Sequence, residues 1–168
     1  MMEAAIEGLT REDGTRPILI AVTQWTSTDQ ESMENDLLIR EPIADVVMHY
    51  AANAKNDGLQ ATLSDFIDIL RKKHPETPIL MVSVTPLVDE LEQCACTPYR
   101  MAQTQLFLNE LQKRRENGDK NIHFLDGSGL YGADWTECTV DGVHATDLGF
   151  YMIAKHTAPV IAGILERV

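Results

Sequence analysis

Four short apolar runs constrain the fold of this chain more than any other feature: Pro17–Val22, Ala44–Tyr50, Pro78–Val84 and Asn121–Leu125. They are rich in Val, Ile and Leu and alternate little. Runs of this length and pattern read as strands buried on both faces, the situation inside a parallel sheet. Stretches with helical spacing separate them. Strand and helix in alternation predict an α/β domain of three layers, α/β/α, with a mainly parallel sheet. In such sheets the functional site lies beyond the C-terminal strand ends.

The helices can be placed from their caps and breakers. Thr62-Leu-Ser-Asp65 has the form of a capping box, with Leu63, Phe66, Ile67 and Leu70 following at helical spacing and Pro75 as the stop. A second helix is expected from about Pro98 to Glu116, with Met101, Leu108 and Leu111 on one side, Ala102 and Leu106 alongside, and Asn117-Gly118 as its C-terminal cap. The last helix should start near Thr146 and carry Leu148, Ile153, Val160, Ile161, Ile164 and Leu165, with Pro159 bending or interrupting it. A shorter helix is expected around Ser32–Leu38. Residues 1–16 read as an N-terminal extension and 17–168 as one domain.

Charge narrows the partners. The chain carries 26 acidic and 14 basic side chains, a formal charge of −12. Nucleic-acid backbones and anionic membrane surfaces both need clustered Lys and Arg, so neither is expected as a partner. The two basic clusters, Arg71-Lys72-Lys73 and Lys113-Arg114-Arg115, sit at helix ends, where cations suit the dipole. Three cysteines, Cys94, Cys96 and Cys138, make neither a disulfide framework nor a zinc pattern, so no metal is expected. No apolar run approaches the ~20 residues of a membrane span. The start, Met1–Gly14, lacks the form of a signal peptide, so a reducing, cytoplasmic setting is the default expectation.

The segment that carries chemistry is Val140-Asp-Gly-Val-His-Ala-Thr-Asp-Leu-Gly149. An imidazole is a general base near neutral pH, and it needs a carboxylate to fix its tautomer and stabilise the imidazolium. Asp141 precedes His144 by three residues, with Gly142 freeing the turn. The competing reading makes Asp141 a turn cap and His144 an ordinary surface histidine, since a bare D-x-x-H is a weak motif.

In this block the sequence resembles the SGNH, or GDSL-type, hydrolase family. The family ends in an Asp, two residues, the catalytic His, and a helix with an early Gly, matched here by Asp141, His144 and Gly149. Ala145 stands where the family often has Pro. The resemblance runs from about Ile43 to the C-terminus. It implies a flavodoxin-like fold, here with the alternative that the first strand is missing, and a serine esterase or acylhydrolase acting on small carboxylic esters of an acyl group or an acetylated carbohydrate. No cofactor is implied. His144 would be the base, Asp141 its orienting acid and Asn53 an oxyanion donor, with Asn56 as the rival for that role. The glycine of the family's oxyanion loop falls near Thr26, and no Gly occurs between Pro17 and Asn53.

The Gly-Asp-Ser nucleophile block is missing, so the nucleophile is unknown. Either Ile18–Val22 is the family's second strand, or it is the first and Gln24 stands where serine belongs. Ser27 is the one serine of that loop. A catalytically inactive remnant that binds a ligand is the alternative from a different class. A receiver-type binding module is a third reading, disfavoured because no acidic cluster follows the first strand.

Overall fold

A computed structural model describes residues 19–21, 46–48, 56–87, 89–90 and 96–166. The described strands are β1 (Leu19–Ala21), β2 (Val46–Met48), β3 (Ile79–Val82) and β4 (Ile122–Leu125). They form one sheet in the order β1-β2-β3-β4, and every pairing is parallel. Each of the four apolar runs thus contains a strand. Parallel neighbours need crossover connections, and helices are the usual crossovers. The described helices are α1 (Asn56–Lys73) before β3, α2 (Pro98–Glu116) before β4, and α3 (Asp147–Leu165) at the end.

The alternation of side chains along β3 builds the layers. Ile79 and Met81 point into a core with Leu59, Leu63, Phe66, Ile67 and Leu70 of α1, Phe107 of α2 and Ile122 of β4. Leu80 and Val82 point the other way, against Ile161 and Ile164 of α3 and Leu130. All four residues of β3 are buried. At roughly 1.5–3 kcal/mol per fully buried aliphatic side chain, this strand anchors both cores.

Three local expectations are corrected. Thr62 does not begin a helix. It lies inside α1, and its hydroxyl donates to the Gly58 carbonyl at 2.7 Å, bonding back along a helix that starts at Asn56. Pro159 does not interrupt α3, which continues through it from Asp147 to Leu165. The buried residues of α2 are Arg100, Gln103, Phe107 and Glu110, with Leu106 and Leu111 partly buried against the core, while Met101, at 61% relative exposure, faces outward. The helical period holds on the buried face, but its buried members are mostly polar because each finds a partner.

The strongest such partner is Glu90. Its carboxylate accepts from the Arg100 guanidinium at 2.6 Å, from the Thr97 amide at 2.8 Å and from the Leu87 amide at 3.1 Å. Arg100 also donates to the Val84 carbonyl at 2.8 Å. Burial alone would raise the Glu90 pKa, but the bonds from Thr97, Arg100 and Leu87 outweigh it and hold the carboxyl below its ordinary value. The cluster fastens the chain leaving β3 to the start of α2, at the C-terminal edge of the sheet.

At the opposite edge, Arg71 holds the strand entrances together. Its guanidinium donates to Asp119 at 2.7 Å and to the carbonyls of Thr77 and Asn121 at 2.6 and 3.0 Å. Arg114 pairs with Glu110 and Asp68, both at 2.6 Å. A cavity of about 740 Å³ in this region is lined by Arg71, Asp119, Asn121, Arg114 and Asp68 with Lys113, Lys120 and Asn117. Both basic clusters therefore have structural work at the helix ends.

The helix α3 is long and apolar enough, by length and composition alone, to cross a membrane. Here it packs Met152, Ile161 and Ile164 into the domain.

Candidate active site

After β4 come two short 3-10 helices, Gly127–Gly129 and Gly132–Glu137, and the segment Cys138–Thr146 then folds as a tight hairpin leading into α3. Thr139 and Ala145 form an isolated antiparallel bridge, and the Val140 amide donates to the His144 carbonyl at 2.9 Å. The turn needs a left-handed residue, and Gly142 supplies it with φ of 85°. Across that turn the Nδ1 of His144 lies 2.7 Å from Oδ2 of Asp141. The other carboxylate oxygen accepts the amides of His144 at 2.8 Å and Val143 at 3.0 Å.

These contacts explain the electrostatics. The His144 amide, the His144 ring and the Val143 amide all favour the ionised carboxylate and pull the Asp141 pKa down from 3.8 to about 2. An ionised partner on Nδ1 leaves Nε2 as the ring nitrogen available for proton transfer. The His144 side chain is 77% exposed and that of Asp141 50%, so the pair opens to solvent.

The turn-cap and dyad readings are therefore not exclusive. Asp141 caps the turn with Oδ1 and holds the imidazole with Oδ2. The structure brings these two residues together. Asn53, Thr26, Ser27, Gln24, Trp25, His49, Cys94 and the Ser32–Leu38 segment lie outside the described residues. Asn56, the rival oxyanion donor, opens α1. Among the other histidines, His156 sits on α3 with Nδ1 2.8 Å from the Leu130 carbonyl, while His123 is in β4 and His74 is buried after α1. Tyr131 and Trp135 pack with Cys138 and Met152. Among the described residues no group of three or more His, Cys, Asp or Glu could hold a metal ion.

Sequence reasoning missed the contacts that fix the turn after β4 against the end of β3. Asp126 caps the turn after β4, accepting from the Ser128 amide at 2.9 Å and from the Ser83 hydroxyl at 3.2 Å. Gly127 packs against the end of β3, where a Cβ would fall on the Ser83 carbonyl oxygen. The Asp-Gly-Ser-Gly run was the visible signal, but its partner Ser83 lies far away in sequence.

A family model for the GDSL-like lipase/acylhydrolase family matches residues 27–162. The chain belongs to this family. Its solved relatives share the three-layer, flavodoxin-like fold of the SGNH hydrolases. A protein from Bacteroides ovatus described as a GDSL-like lipase superposes with a TM-score of 0.69 at 26% identity, covering 82% of this chain and 40% of that one. A family 3 carbohydrate esterase from Clostridium thermocellum superposes with a TM-score of 0.64 at 22% identity, covering 86% and 69%.

Curated relatives give a second, local likeness. Orotidine 5'-phosphate decarboxylase of Bacillus caldolyticus is 52% identical over 66 residues, 38% of this chain and 27% of that protein. The enzyme of the same name from a Geobacillus strain is 41% identical over 87 residues, 49% and 36%. The chain spans only about a quarter to a third of the length of these relatives.

Proposed function

We propose that this GDSL-family domain carries the acid–base half of an ester-hydrolysing site, with His144 as general base and Asp141 as its orienting carboxylate. The observation that carries the reading is the 2.7 Å contact between His144 Nδ1 and Asp141 Oδ2, on a hairpin at the end of a parallel sheet. In a complete site, a serine hydroxyl attacks the ester carbonyl while His144 takes its proton. The imidazolium, stabilised by Asp141, then returns that proton to the departing alcohol. Asn53 is the proposed oxyanion donor, a role worth about 3–4 kcal/mol per donor. The substrate class is a small carboxylic ester, of an acyl group or an acetylated carbohydrate, and the chemistry uses no cofactor.

The chain is impaired in this reading, because no Gly-Asp-Ser block precedes the dyad. The decarboxylase likeness supplies a reason. The part from Asn56 onward holds the layered packing and the family's Asp–Gly–Val–His block. The part before it lacks both the nucleophile block and the oxyanion-loop glycine. We propose that the decarboxylase-like stretch, 38–49% of the chain, overlaps that earlier part. Neither chemistry is then complete.

The test is labelling by a serine-directed phosphonate probe together with turnover of p-nitrophenyl acetate. The expected result is no active-site labelling and turnover at least about a million-fold below a complete triad, the scale of losing a nucleophile. Robust turnover abolished by both Ser27→Ala and His144→Ala would overturn the impairment and make Ser27 the nucleophile. Loss of the ultraviolet signal of orotidine 5'-phosphate in the presence of the chain would overturn the reading of the earlier part as a fragment.

A further inference from the structure

We propose that Thr146 is the positioning residue that holds the Asp141–His144 hairpin closed against the N-terminus of α3. The proposal rests on the reading of that pair as the site. Its observation is separate: one hydroxyl joins three pieces of chain. Thr146 Oγ1 donates to the Glu137 carbonyl at 2.8 Å, at the end of the 3-10 helix Gly132–Glu137 that precedes the hairpin. The same oxygen accepts from the Gly149 amide at 3.1 Å, as the N-cap of α3. The Thr146 amide meanwhile donates to the Cys138 carbonyl at 2.9 Å.

The remaining contacts make this junction tight. A Cβ on Gly149 would fall on the Cys138 carbonyl oxygen and stand 3.1 Å from the Ala145 side chain. Cys138 is fully buried beside Tyr131 and Met152. The backbone at Cys138 is thus pressed onto the first turn of α3, and the Thr146 hydroxyl and amide both link across that contact. Beyond the junction the hairpin is exposed and held by the Thr139–Ala145 bridge, the Val140–His144 bond and the Asp141 cap. Serine or asparagine would cap a helix as well. Only a hydroxyl donates to Glu137 while accepting from Gly149 through one atom. Opening the junction releases the base of the hairpin and with it the alignment of Asp141 on His144.

The experiment reads the pair without requiring turnover. In the full chain, the Asp141 side-chain carboxyl is followed by carbon-13 NMR through an acid titration, alongside thermal melting, for the unmodified chain, Thr146→Val and Thr146→Ser. The expected midpoint is about 2 in the unmodified chain and in Thr146→Ser. In Thr146→Val it moves upward toward the ordinary 3.8. A helix cap alone predicts a lower melting temperature for Thr146→Val with the midpoint still near 2, and that result overturns the proposal. If Thr146→Val does not fold, amide exchange in the unmodified chain decides. Val140, His144 and Thr146 amides protected together support the closed junction, and exchange of the Thr146 amide at free-peptide rates overturns it. Failure of the esterase reading would appear in the phosphonate and turnover assays and leave this titration unaffected.

Discussion

Replacing Glu90 by Gln tests how much of the domain's stability depends on one buried carboxylate. The side chains of Arg100 and Glu90 are 7% and 4% exposed, so solvent screens this pair little. Oε1 accepts from Thr97, while Oε2 accepts from Leu87 and Arg100. An amide offers one oxygen and one NH₂ group. In one orientation the NH₂ faces the Thr97 amide; in the other it faces the Leu87 amide and the Arg100 guanidinium. Each orphaned buried donor costs about 1–3 kcal/mol, and removing one member of a buried ion pair costs about 3–5 kcal/mol. These losses overlap, so the expected destabilisation is about 3–5 kcal/mol. At about 2–4 °C per kcal/mol for a domain of this size, the melting temperature should fall by about 10 °C. Urea unfolding followed by circular dichroism measures the change directly. The double variant Glu90→Gln with Arg100→Met should recover part of the loss, because the stranded cation is gone. A loss below about 1 kcal/mol for the single variant would refute the claim that this cluster holds the β3–α2 connection.

Further outcomes are expected. The Asp141 carboxyl has a folded pKa below its unfolded value, so its contribution to stability is complete above about pH 3.8 and is lost as pH falls toward about 2. Acid unfolding of Asp141→Asn compared with the unmodified chain should therefore differ in its pH dependence only in that window. Gly127→Ala should cost about 3 kcal/mol or more, or prevent folding, since its Cβ meets the backbone of β3. Gly58→Ala, with nothing within 4 Å, should instead stabilise α1 by about 0.5–1 kcal/mol in the same urea assay. Arg71→Lys should lower stability by about 2 kcal/mol without altering the Asp141 titration, because an ammonium cannot span Asp119, Thr77 and Asn121 together.

What the sequence by itself determined was local or periodic. The four apolar runs located the strands, and Pro98, Asn117 and Gly118 bounded α2, because strand burial and helix caps depend on residues only a few positions apart. The Asp141–His144 contact was legible for the same reason: three residues and a left-handed glycine fix it. Tertiary structure alone decided features whose partners are distant in sequence or brought together by folding. Arg100 rather than Met101 faces inward because Glu90 is there to neutralise it, and an apolar pattern takes no account of such a partner. Thr62 shows the same limit within a helix, since its hydroxyl bonds to either an N-cap amide or a preceding carbonyl and only the finished turn chooses. The seating of the hairpin on α3 depends on Gly149 touching Cys138, and that of the turn after β4 on Gly127 touching Ser83, approaches that chain spacing cannot express. The physical reason is range: dihedral preferences and hydrophobic period act over one or two turns of chain, whereas the desolvation that makes a buried charge or a missing Cβ decisive is set by what folding brings beside it.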